Sequence, residues 1–177
     1  MLSPAISRTD RWRLAYGLHQ PTLYDYIVVM AKKSPTPVRF DVMVADRLAV
    51  FVSINHGLSL SSAANMLVDE GLRMMEHPGV IFRTGPTGRR AGLAMGPDVW
   101  EVVRAVKSAR AAEPDLGEHE ILALVAENTG VPVRQIRVAT GYWAAYPDEV
   151  DAEITAADTA EANAERAWRR ERGLLAG

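Results

Sequence analysis

The chain has 177 residues, 48% of them apolar, and a formal net charge of −2. That is enough for one large or two small domains with a real core, and it excludes a disordered protein. The absence of cysteine excludes disulfides and thiolate chemistry, and the four histidines His19, His56, His77 and His119 have no metal-ligand spacing.

No apolar run approaches the ~20 residues that cross a bilayer. No signal-peptide core follows the early arginines, so a cytoplasmic location is expected. The charge is unevenly spread. Arg8, Arg11, Arg13, Lys32 and Lys33 outnumber Asp10 and Asp25 at the front, whereas residues 148–177 are mostly acidic. Residues 1–36 read as a basic arm. Leu23–Ala31 is a short helix or strand, and Pro35 and Pro37 close the segment. Met30, directly before the basic stretch, is an expected alternative start.

From residue 37 the pattern has period two. Val38, Phe40, Val42 and Val44 alternate with Arg39, Asp41 and Met43, which predicts a half-buried strand. Residues 45–55 then predict a helix stopped at His56-Gly57. Ser59 or Ser61 caps a second helix over residues 62–76. Strand, helix, turn, helix is the order of a ribbon-helix-helix unit over residues 37–76. Such a unit buries its strand only by pairing with a second chain, so a homodimer is expected. Its ribbon would enter the major groove with Arg39 among the groove-facing residues. Amides near Ser59 and Ser61 would hold phosphate. The alternatives are a strand paired within the chain and a ribbon used for dimerisation alone. Asp41 fits DNA poorly, because a carboxylate is repelled there unless a cytosine amino group donates to it.

His77-Pro78-Gly79 breaks the helix. Val80–Arg83 and Arg89–Ala94 predict two short strands around a Gly/Pro loop. Arg83, Arg89 and Arg90 make this a basic wing against phosphates or an ordinary solvated hairpin. The loop lacks the Lys-Ser/Thr of a phosphate loop. Asp98 caps a further helix with Trp100, Val103 and Val106 on one face, Trp100 as core.

Residues 118–143 predict two short helices about a turn at Thr129-Gly130. Ile121, Leu122, Leu124 and Val125 stripe the first, and Pro132 opens the second. Ala126, Gly130 and Ile136 have the spacing of a helix-turn-helix. The second helix then offers Arg134, Gln135 and Arg137 to base edges or phosphates; the alternative is a helical hairpin with a solvated face. A long polar helix follows to Arg172. It ends in Trp168, Arg169, Arg170 and Arg172, then Leu174 and Leu175.

Residues 77–155 resemble the domain-of-unknown-function family numbered 433. The motif is Trp143-Ala144-Ala145-Tyr146-Pro147-Asp148-Glu149-Val150-Asp151, after Glu76-His77-Pro78-Gly79-Val80. A ribbon-helix-helix unit ahead of such a module resembles VapB-type antitoxins. That family usually carries Arg or Lys where Asp41 stands. The resemblance implies a mainly α protein with short β: residues 37–76 for dimerisation, 77–150 a hairpin with a helix-turn-helix, and 151–177 a helical tail. It implies a non-enzymatic antitoxin that binds operator DNA and blocks a PIN-like ribonuclease toxin, with no cofactor, metal, membrane or small-molecule substrate. The toxin-binding residues would be Trp168, Arg169, Arg170, Arg172, Leu174 and Leu175, since Arg and Trp suit an acidic nuclease site. A stand-alone regulator is the alternative. No nucleophile, base and orienter constellation points to an enzyme.

Overall fold

The computed structural model describes residues 37–85 and 87–176. The basic arm, the Leu23–Ala31 element and the Met30 start lie outside them. A unit boundary falls between Arg47 and Leu48, and the described residues from Leu48 onward form the larger, compact unit. The described elements, in order, are α1 (Val42–Ile54), α2 (Leu60–Glu76), β1 (Val80–Gly85), β2 (Gly88–Leu93), α3 (Val99–Ala112), α4 (Glu118–Thr129), α5 (Val133–Ala145) and α6 (Pro147–Leu175). The protein is mainly helical with a two-stranded antiparallel sheet.

The strand expected over residues 38–44 is not formed. Residues 37–41 have no regular structure, and α1 begins at Val42. Asp41 explains the change. Its carboxylate accepts from the Val44 N–H at 2.9 Å, and its carbonyl from the Ala45 N–H at 2.9 Å. A side-chain oxygen taking an orphan amide of the first turn is a helix start, and a lone strand has no ladder to offset that gain.

Ser59 caps α2. Its hydroxyl accepts from the Ser62 N–H at 3.1 Å, and the Ser59 N–H donates to Ser62 Oγ at 2.8 Å. The hairpin forms as the Gly/Pro loop predicts, with Val80 opposite Leu93 and Gly85 opposite Gly88. In α3, Glu101 reaches back to the Asp98 N–H at 2.8 Å. Gly130 ends α4 in the left-handed region at φ 73°, a conformation open to glycine without a Cβ penalty.

The core of the larger unit joins the hairpin to α3–α6. Val80, Leu93, Val99, Val103, Ile121, Val125, Ile136, Ala139, Tyr142 and Val150 are buried together. Trp100 packs on this cluster from its edge, half-buried. Three side chains of α2 reach far along the chain, Glu70 to Arg89, Arg73 to Glu149 and Glu76 to Tyr146. The first half of α6 packs likewise. Arg104 of α3 pairs with Asp158 at 2.7 Å and Glu161 at 2.6 Å.

Candidate functional site

α4 and α5 meet across the Gly130 turn, and α3 packs on both. The three spaced positions have distinct environments. Ile136 is fully buried, Ala126 half-buried, and Gly130 makes the turn. Pro132 precedes α5, where its fixed φ suits a helix entrance. This leaves the first turns of α5 with one outward face. Arg134 is exposed and makes no ion pair among the described residues. Arg137 is exposed and donates to Glu118 at 2.7 Å. Such a solvent-screened pair is worth roughly 0–1 kcal/mol, so a phosphate can compete for the guanidinium. Gln135 is half-buried beside Gly96, where an added Cβ would sit 3.2 Å from its Oε1.

The hairpin arginines are placed differently from the wing reading. Arg89 grips the buried Glu70 carboxylate in a fork, with contacts of 2.7, 2.9 and 2.7 Å. Arg83 lies over Gly92 and donates to Asp98 at 2.9 and 2.7 Å. A Cβ on Gly92 would come within 2.8 Å of that guanidinium, so a larger residue there would displace the Arg83 side chain. Arg90 is 13% exposed at its side chain, with Asp98 3.5 Å from Nε. Arg83 and Arg89 thus donate to the fold's own carboxylates. Arg39 is exposed in the segment before α1, Ser61 is exposed, and Ser59 is committed to its cap.

The segment from Tyr142 to Asp151 acts as a latch. Arg73 donates to Tyr142 Oη at 3.0 Å and to Glu149 at 2.6 Å, and Tyr142 Oη donates to Glu149 at 2.9 Å. Arg73 also lies 4.2 Å over the Tyr146 ring, and Tyr146 donates to Glu76 at 3.1 Å. Burial raises the Tyr142 hydroxyl above its ordinary range, helped by the Glu149 carboxylate. Burial works against the Arg73 charge, but its hydrogen bonds to Glu149 and Tyr142 raise it overall. At the other end, Trp143 Nε1 and Lys107 both donate to Asp151, at 2.9 and 2.6 Å. The Lys107 bond holds the Asp151 carboxyl below its usual range. None of these pairings is named by the sequence. The one signal was the density of aromatic and acidic residues after α5.

Beyond its packed half, α6 leaves the fold. Every residue from Asn163 to Ala176 is exposed. Trp168 is 55% exposed, with the Arg172 guanidinium 5.0 Å from its ring centroid. Arg169 pairs with Glu165 one turn back, and Arg170 is exposed. Leu174 and Leu175 are 84% and 75% exposed. Trp168 therefore does not pack on its own domain, and this segment keeps its apolar side chains in water.

A groove of about 350 Å³ opens between α3, α4 and α5, with Val106, Ile121, Leu122 and Trp143 on its floor and Lys107, Arg110 and Arg137 at its rim. Among the described residues no helix is long and apolar enough to cross a membrane. No family model, curated protein or solved structure matches this chain, so the functional reading stands on the residues themselves.

Proposed function

We propose that the protein is a non-enzymatic antitoxin that binds operator DNA through α5 and blocks a PIN-like ribonuclease with the end of α6. The observation that carries this reading is the exposed segment Asn163–Ala176. A folded chain has little reason to hold Trp168, Leu174 and Leu175 in water on a helix that leaves its core, unless a partner covers them. Arg and Trp lead among side chains that anchor interfaces. A nuclease that gathers carboxylates around metal presents a negative site, which Arg169, Arg170 and Arg172 complement.

The DNA reading rests on the helix-turn-helix spacing and on Arg134, Gln135 and Arg137 at the start of α5. Arg and Gln are the side chains that fork onto guanine and adenine edges. The internal pairing of Arg83, Arg89 and Arg90 moves the reading away from the hairpin and towards α5. Homodimerisation is proposed through α1 and α2, where Val50, Ile54, Val68, Leu72 and Met75 are exposed. In a symmetric dimer the same patch on two copies covers itself.

Fluorescence anisotropy on the DNA upstream of the chain's own gene tests the DNA half. Saturable binding that weakens with rising salt is expected. Binding no tighter than to random duplex would remove the operator role. Light scattering should return the mass of a dimer. A monomer at micromolar concentration would remove the proposed interface.

A further inference from the structure

A second cavity, of about 230 Å³, lies between the hairpin, α3 and α6. Trp100, Arg90 and Glu153 each bring a polar group to it. The Trp100 indole N–H is buried and finds no acceptor among the described residues. The Arg90 guanidinium is nearly buried and forms a long ion pair with Asp98, 3.5 Å from Nε. Glu153 makes no ion pair or hydrogen bond among the described residues, yet it is close enough to Arg90 to feel its charge. A cation and a carboxyl thus face one pocket without touching. The remaining wall is Ala156, Ala157 and Ala160 of α6. Buried donors and acceptors normally have partners, and an unpaired one costs ~1–3 kcal/mol.

We propose that this pocket binds a small zwitterion of the α-amino-acid class, with its carboxylate on Arg90 and the Trp100 N–H and its ammonium on Glu153. The alanine wall is apolar and offers no further charge to the ligand's side chain. A simple anion would satisfy Arg90 and Trp100 but face the Glu153 carboxyl; a simple amine would face Arg90. Only a molecule with both charges answers both ends. Bound there, it bridges α6 to the hairpin and acts as an effector, not a substrate. The site is independent of the DNA and toxin readings.

The chemistry also sets a pH dependence. In the free protein, burial pushes the Glu153 carboxyl up to about 7. Arg90 lowers it, while Glu149 and Asp98 raise it; Arg89, also at this pocket, is taken up by Glu70. The ligand's ammonium favours the ionised carboxylate, so binding in more acidic solution must displace a proton. Affinity should fall ~tenfold for each pH unit below that value.

Isothermal titration of the full chain with glycine, L-alanine and L-serine tests this, with propionate and ethylamine as the two halves of alanine. At least one amino acid should bind saturably, and each half should bind ~tenfold or more weakly. Trp100→Phe keeps the ring and removes the donor. Glu153→Gln keeps the shape and removes the charge. Each should cost ~tenfold in affinity, and Glu153→Gln should abolish the pH dependence. No saturable binding by any of the three amino acids would overturn the proposal. So would propionate binding as tightly as L-alanine, or both variants keeping full affinity while circular dichroism shows them folded.

Discussion

Arginine forms salt bridges wherever the fold supplies a carboxylate, and here the partners decide what each guanidinium can do. Arg89 is held by Glu70, which is 7% exposed. Arg89→Ala would leave that carboxylate buried and unpaired, at a cost of roughly 3–5 kcal/mol. Chemical denaturation should show the loss, and the salt dependence of DNA binding should not change. Arg134 and Arg137 should behave in the opposite way. Replacing both with alanine should leave stability nearly unchanged and flatten the log–log salt slope by ~0.9 for each phosphate no longer neutralised. Tyr142→Phe removes the hydroxyl that joins Arg73 to Glu149. It should destabilise by ~1–3 kcal/mol, read from the denaturation midpoint. Glu153 gives a pH signature. Its carboxyl is raised from 4.5 to about 7, so the folded state binds its proton more tightly than the unfolded chain does. The stability this brings is present below the lower value and lost as pH rises towards about 7. Glu153→Gln should remove that decline and leave the variant the more stable protein at pH 8. An unchanged pH profile would contradict the assignment. In sequence, three arginines stand beside a loop, and nothing local marks Glu70, nineteen positions before Arg89, as a partner, because only tertiary packing brings the two together.

Elements whose signals are local were legible. Gly130 and Pro132 punctuate α4 and α5 because their backbone preferences act within one turn. Gly130→Ala forces a Cβ into the left-handed region at φ 73° and should cost ~1–2 kcal/mol, measured as a shift in the thermal midpoint. The hairpin, its Gly/Pro loop, the breaks at His56-Gly57 and His77-Pro78 and the Ser59 cap were legible for the same reason. The stretch after Pro37 was not. Its alternation from Val38 to Val44 satisfies the period of a strand, but a strand needs a neighbour, whereas Asp41 starts a helix alone. The latch was illegible for a third reason. The motif's aromatic and acidic residues point back to Arg73 and Lys107, and no spacing within the motif names those partners.

At the scale of the whole molecule, two outward-facing features matter most: the first turns of α5, and the end of α6, which projects beyond the packed core. The C-terminal helix has 29 residues, about 44 Å at 1.5 Å per residue, and its second half owes little to the rest of the fold. Truncation after Ala164 should therefore leave the thermal midpoint within about two degrees of the full chain, since an exposed segment adds little cooperative packing. The most direct test of the antitoxin role is the ribonuclease activity of the adjacent gene's product, measured with the full chain and with the chain truncated after Ala164. The full chain is predicted to bind the nuclease and silence it. The truncated chain should bind operator DNA with unchanged affinity while leaving the nuclease active. A truncated chain that still neutralises the enzyme, or a full chain that neither binds nor inhibits it, would contradict that role.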